Sequence, residues 1–168
     1  MIRRLLDTRS AAAPTVTRLA LAALLFPHGA QHALGWFGGY GFAGTLEWMT
    51  GTLGFPAPLA ALAITTELLA PLALVLGLGG RAAALGLIGL MMGAISTHVP
   101  NGFFMNWFGQ LHTGQEGFEY HLVVVALATV TVMEGSGAFS LDRRLAAALA
   151  RRGRHHLATS AAPRAHAA

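Results

Sequence analysis

Apolar residues run along this chain in long unbroken blocks, not at the spacing of a single helix face. Four blocks approach the roughly 20 residues with which a helix crosses about 30 Å of hydrocarbon. They cover about 15 to 35, 57 to 78, 81 to 99 and 119 to 138. The core of the fourth, "LVVVALATVTVM" from Leu122 to Met133, has a length that also suits a buried soluble helix, and its β-branched residues would suit a strand. A lone strand facing lipid would leave its backbone groups unpaired, so the pattern predicts a helix here as well. The expected fold is all-α: an integral membrane four-helix bundle, with N and C termini on the same side.

Composition agrees with this. Hydrophobic residues make up 54% and charged ones 11%, against about 25% charged in an ordinary soluble domain. The formal charge of +4 is carried by Arg that flank the apolar blocks. No basic patch accompanies stacking aromatics, so nucleic-acid binding is not expected. The chain has no Cys, which excludes a disulfide relay, a thiolate metal site and a Cys nucleophile.

Arginine placement sets an orientation. Arg3, Arg4, Arg9 and Arg18 precede the first apolar run, Arg81 sits in the tight "GLGGR" turn, and the rest follow the fourth block. Segments 35–56 and 100–118 contain no Arg or Lys. The positive-inside rule therefore predicts cytoplasmic termini and two outward loops. Those loops carry Trp36, Phe37, Tyr40, Phe42 and Trp48, then Phe103, Phe104, Trp107 and Phe108, suited to an interfacial belt or to a lid over a site.

The expected organisation is a cytoplasmic arm over 1–14, a four-span domain over 15–142 and a basic cytoplasmic tail over 143–168. The start of the tail is expected to be a helix on the anionic inner leaflet and its last dozen residues to be disordered. Two Arg ahead of an apolar run also resemble a signal peptide. The run is too long, holds Pro and His and lacks a small-residue cleavage site, so an uncleaved span is expected. In the third block Ala82, Gly86, Gly89, Gly93 and Thr97 form a small-residue stripe, which predicts close approach of a neighbouring helix.

Ionisable groups inside a span cost about 2.5–3.5 kcal/mol at its centre, so each calls for a partner. Glu67, in "AITTELLAPLAL", lies about 15 Å inside the outer end of its span by helix rise. "PHGAQH" puts His28 and His32 four residues apart on one face, with Gln31 beside them and Pro27 unable to donate to Ala23. His98 stands at the outer end of the third span, ahead of Asn101, while Glu119, Tyr120 and His121 open the fourth. Their grouping in the outer half predicts one interior chamber. The competing reading is that the histidines snorkel to the interface and only Glu67 is buried. "HGAQH" would suit two metal ligands, with His98 or His121 as a third, but it lacks the Glu of a zinc peptidase and no metal is predicted.

The ordered motifs "LFPHGAQHALGWFGGYGFAG", "FPAPLAALAITTELLAPLALVLGL", "GRAAALGLIGLMMGAISTHVPNGFF", "GFEYHLVVVALA" and "FSLD" resemble the DoxX family over about residues 18 to 142. The resemblance implies a small four-helix membrane protein of bacterial type, multi-pass in the plasma (inner) membrane. It also implies kinship with DoxD-type subunits, which pass electrons from thiosulfate to quinone, and with members that assemble with superoxide dismutase and a sulfurtransferase. Carried over to this sequence, the family's helix-one histidine is His28, its helix-two glutamate Glu67, its helix-three histidine His98, and its helix-four pair Glu119 and Tyr120. His32 stands where many relatives carry Lys, which argues against a permanent cation there.

The expected function is therefore the membrane subunit of a quinone-linked oxidoreductase or redox-defence complex. Glu67, His28 and His98 would act on protons, and His32, Gln31, Glu119, Tyr120, His121 and Asn101 would hold a quinone cofactor. Electrons would come from a soluble or membrane redox partner. The alternatives are a small proton-coupled transporter, for which four spans are few but a homo-oligomer such as a dimer would suffice, and a non-catalytic scaffold for soluble redox enzymes docked on the Arg-rich tail.

Overall fold

Helices form on all four apolar blocks. In the computed structural model, which describes residues 12–110, 112 and 115–160 (side chains of 152–160 excepted), the elements are α1 (Ala12–Leu34), α2 (Gly41–Gly51), α3 (Ala57–Leu76), α4 (Gly80–His98), α5 (Glu119–Glu134) and α6 (Leu141–Ser160). No strand occurs among the described residues. α3 (20 residues) and the continuous stretch Gly80–Asn101 (22 residues) are long and apolar enough to cross a membrane. α5, with 16 residues, rises only about 24 Å, and the apolar run of α1 is broken by Pro27, His28, Gln31 and His32.

α1 packs most extensively on α3, and α4 on α5. Between them Leu21, Leu25, Leu74, Leu87 and Val124 are fully buried. α2, which the hydropathy pattern did not predict, lies in the first long loop and packs against α1 and α3. The second long segment folds back on itself through backbone bonds from Gly117 N to Phe104 O (3.0 Å) and from Glu119 N to Phe103 O (2.9 Å).

The opposite end of the bundle corrects one expectation. Arg18 does not sit outside the apolar region as a flanking charge: it is 2% exposed. Its guanidinium donates to Leu74 O and Val75 O (2.8 Å) at the C-terminus of α3, and to Ser136 O (2.7 Å) in the turn after α5. Arg81 likewise donates to Val132 O and Met133 O (3.0 Å) at the end of α5. Asp142, buried, accepts from Gly79 N (2.7 Å) and Gly80 N (3.1 Å) at the start of α4, and from Ser136 Oγ (2.6 Å). Each charge meets the helix end whose dipole it complements and satisfies backbone groups that a helix leaves unpaired.

The α3–α4 turn is tight because Gly77 and Gly79 adopt left-handed conformations (φ 62° and 61°), which other residues reach only at a cost. α6 runs to Ser160, so helix continues into the start of the segment expected to be disordered. Residues 1–11, with Arg3, Arg4 and Arg9, and residues 161–168 lie outside the described residues.

Candidate functional site

The chamber begins with a glycine. At Gly29, between the two histidines of "PHGAQH", an added Cβ would stand 2.7 Å from the Leu68 Cα of α3 and 2.6 Å from the Glu67 carbonyl carbon. Only a residue without a side chain allows the two backbones so close. One turn on, this approach brings His32 Nδ1 to 2.5 Å from Glu67 Oε2. A contact of that length needs a proton between nitrogen and oxygen. It gives Glu67, 9% exposed, the partner that a buried carboxyl requires.

Above this pair is a cavity of about 850 Å³. His28 and His32 of α1, Glu67 of α3, His98 of α4, and Tyr120 and His121 of α5 all line it. Six of the nine residues singled out in the sequence thus share one space, contributed by four helices. The rings of His98 and His121 lie 4.6 Å apart, centroid to centroid. His98 Nδ1 is 2.8 Å from Ala94 O; a carbonyl only accepts, so Nδ1 carries the proton and Nε2 is the ring's remaining polar atom. Among the described residues no three His, Asp or Glu side chains are placed to hold a metal ion.

The other three sequence candidates do not line the chamber. Gln31 Nε2 donates to Phe37 O (3.3 Å) in the first loop. Asn101 Nδ2 donates to Glu116 O (3.1 Å). Glu119 Oε2 accepts from Trp107 Nε1 (2.8 Å) and Met105 N (3.3 Å). Glu119 and Asn101 instead tie down the folded-back segment over the end of the bundle opposite Arg18. Consecutive residues on a helix point about 100° apart, so Tyr120 and His121 reach the cavity while Glu119 reaches the loop.

The structure adds residues that the sequence reading missed. α2 and the stretch after it bring Trp48, Met49, Leu53 and Phe55 to the cavity wall, and Met105 and Glu116 come from the second loop. Loop aromatics flagged Trp48 only as part of a belt or lid. The small-residue stripe of α4 is also corrected. Gly86 would meet Thr66 Cγ2 at 3.1 Å, but an added Cβ at Gly89 or Gly93 finds nothing within 4 Å. Those two glycines line the cavity, so within the stripe close approach is limited to Gly86, and Gly29 of α1 brings a neighbouring backbone closer still.

Helical with no strand among its described residues, and with two helices long and apolar enough to cross a bilayer packed round a chamber of His, Glu and Tyr side chains, the chain has the build of a small helical membrane protein. The DoxX family profile matches residues 13–107, more than half of the chain, and the chain belongs to the DoxX family. Comparison with curated proteins and with solved structures gave no match.

Proposed function

We propose that this protein crosses a bacterial inner membrane four times, along α1, α3, α4 and α5, and serves as the membrane subunit of a quinone-linked oxidoreductase. Both termini and the Arg81 turn face the cytoplasm, and the chamber lies in the outer half. Support for the orientation comes from charge. Arg18 and Arg81 sit at one end of the bundle, α6 with Arg143, Arg144 and Arg151 starts from that end, and segments 35–56 and 100–118 have no Arg or Lys. α6 exposes Leu145 and Leu149 one turn apart among its Arg, a pattern that suits the surface of an anionic leaflet.

The observation that carries the functional reading is the hydrogen-bonded His32–Glu67 pair in a chamber shared with His28, His98, Tyr120 and His121. A bound quinone supplies an acceptor for two electrons and two protons. Its ring oxygens need donors, and imidazole N–H and phenol O–H groups are donors suited to them. The His32–Glu67 pair holds a proton at a buried carboxyl, where it can be passed on to the chamber. The wide apolar remainder of the cavity fits a ring that is itself largely apolar. With no Cys and no metal-binding cluster among the described residues, the electrons are assigned to a partner protein that oxidises its own substrate.

The test is Glu67→Gln in native-type membranes. Quinone reduction driven by the donor complex is expected to fall at least 100-fold, the scale of one general acid–base group, while the protein still accumulates and assembles. Unchanged turnover in the Gln variant overturns the proton role. Solute flux through liposomes that contain this protein alone would replace the reading with a transporter.

A further inference from the structure

The chamber is larger and more apolar than a ring-sized headgroup needs. Its volume of about 850 Å³ lies toward the upper end of the roughly 300–1,000 Å³ of pockets for drug-sized ligands. The histidines and Tyr120 stand on α1, α5 and the end of α4 at His98, and α3 adds Glu67 and Thr66 deeper in the chamber. The opposite side, between α3 and α4, is formed by Leu59, Leu62, Gly89 and Gly93.

The course of those two helices explains the space. They leave the Gly77–Gly79 turn together and touch at Gly86, where an added Cβ would stand 3.1 Å from Thr66 Cγ2. One and two turns further out, Gly89 and Gly93 face open space. At that level α3 does not pack on the glycine face of α4 as it does at Gly86. Leu62 of α3 lines the same cavity and is 61% exposed, which leaves room for the chamber to open sideways between the two helices. A glycine inside a helix is less stable than alanine, and at these two positions no packing contact offsets that loss. What they provide is room.

We infer that the chamber is loaded from within the bilayer, through the gap between α3 and α4, by an amphiphile. Its hydrocarbon chain lies over Gly89 and Gly93 while its polar head meets the histidine wall. The inference rests on the quinone-linked membrane reading and narrows its ligand to a long-chain one. Hydrocarbon suits the gap because the gap's lining is apolar, and because a water-soluble ligand would have to leave its hydration shell to pass it. The chain is continuous with the polar wall, so a single molecule satisfies both halves of the cavity.

The experiment compares two probes in nanodiscs of one lipid composition: a decyl-substituted dimethoxy-benzoquinone and the same ring without the decyl chain. Binding is read as saturable quenching of tryptophan fluorescence, since Trp48 lines the cavity. Each variant is compared with wild type for the same probe, which cancels partition into the lipid. Gly93→Leu and, independently, Gly89→Leu are expected to weaken the decyl probe at least tenfold and the short probe less than twofold. If a folded variant weakens both probes equally, or neither, the tail site is overturned while the quinone reading stands. If neither probe quenches wild type in a saturable way, the quinone reading falls and the inference with it.

Discussion

Glu67 is held by one strong bond, to His32, and that makes the pair's energetics testable. Breaking a buried pair by removing one partner leaves an uncompensated polar group, whereas replacing both by apolar residues does not. His32→Leu alone is expected to destabilise the bundle by about 2 kcal/mol, less than a fully buried pair would show because the imidazole is partly exposed. His32→Leu with Glu67→Leu should recover most of that loss, as measured by reversible unfolding in mixed micelles. A double variant no more stable than the single one would show that the contact contributes nothing to folding. Arg18 differs in kind, because its planar fork donates to carbonyls from two separate elements. An ammonium cannot reproduce that fork, so Arg18→Lys should cost about 2–3 kcal/mol in the same assay, on the scale of hydrogen bonds to a charged group.

Two glycines of the same residue type have opposite expected responses, because their elements meet different neighbours. Gly29→Ala places a methyl group against the α3 backbone, and separating α1 from α3 should cost about 1–3 kcal/mol, as overpacking does. Gly89→Ala meets open space and should stabilise α4 by up to about 1 kcal/mol through helix propensity. Unfolding midpoints of the two variants decide this; equal shifts would contradict the packing described. The bond from Trp107 to Glu119 is one of those that hold the folded-back segment. Trp107→Phe keeps an aromatic ring and removes the donor. Amide exchange across 103–110 should quicken about tenfold, the equivalent of roughly 1.4 kcal/mol.

For the whole molecule, the proposed topology can be mapped directly because the chain has no Cys. Single cysteines at Gly38 and Phe108 should react with an impermeant maleimide added outside intact cells. Cysteines at Leu78 and Ala148 should react only after lysis. Labelling of Leu78 from outside would reverse or abolish the four-span arrangement. Four apolar blocks were legible in the pattern of residues, and a helix forms on each; two of them, α3 and the stretch Gly80–Asn101, reach the length that bilayer thickness dictates. α2 was not legible, because an 11-residue helix of Gly, Thr and aromatics has no periodic signal comparable to a span.

What the sequence determined by itself was the helices on the four apolar blocks and the short list of costly residues. Those follow from local physics: backbone satisfaction in an apolar medium and the penalty on each polar group placed there. What only the tertiary structure decided was pairing. Glu67 meets His32 because Gly29 sets the approach of α1 to α3. Glu119 turns to Trp107 and away from the chamber because a loop folds back over it. Arg18 and the Ser136 carbonyl, 118 residues apart in the chain, meet because four helices close at one end. Residue spacing shows that a position is small or polar; which neighbour stands opposite depends on how helices rotate and splay against each other, and no single helix contains that information.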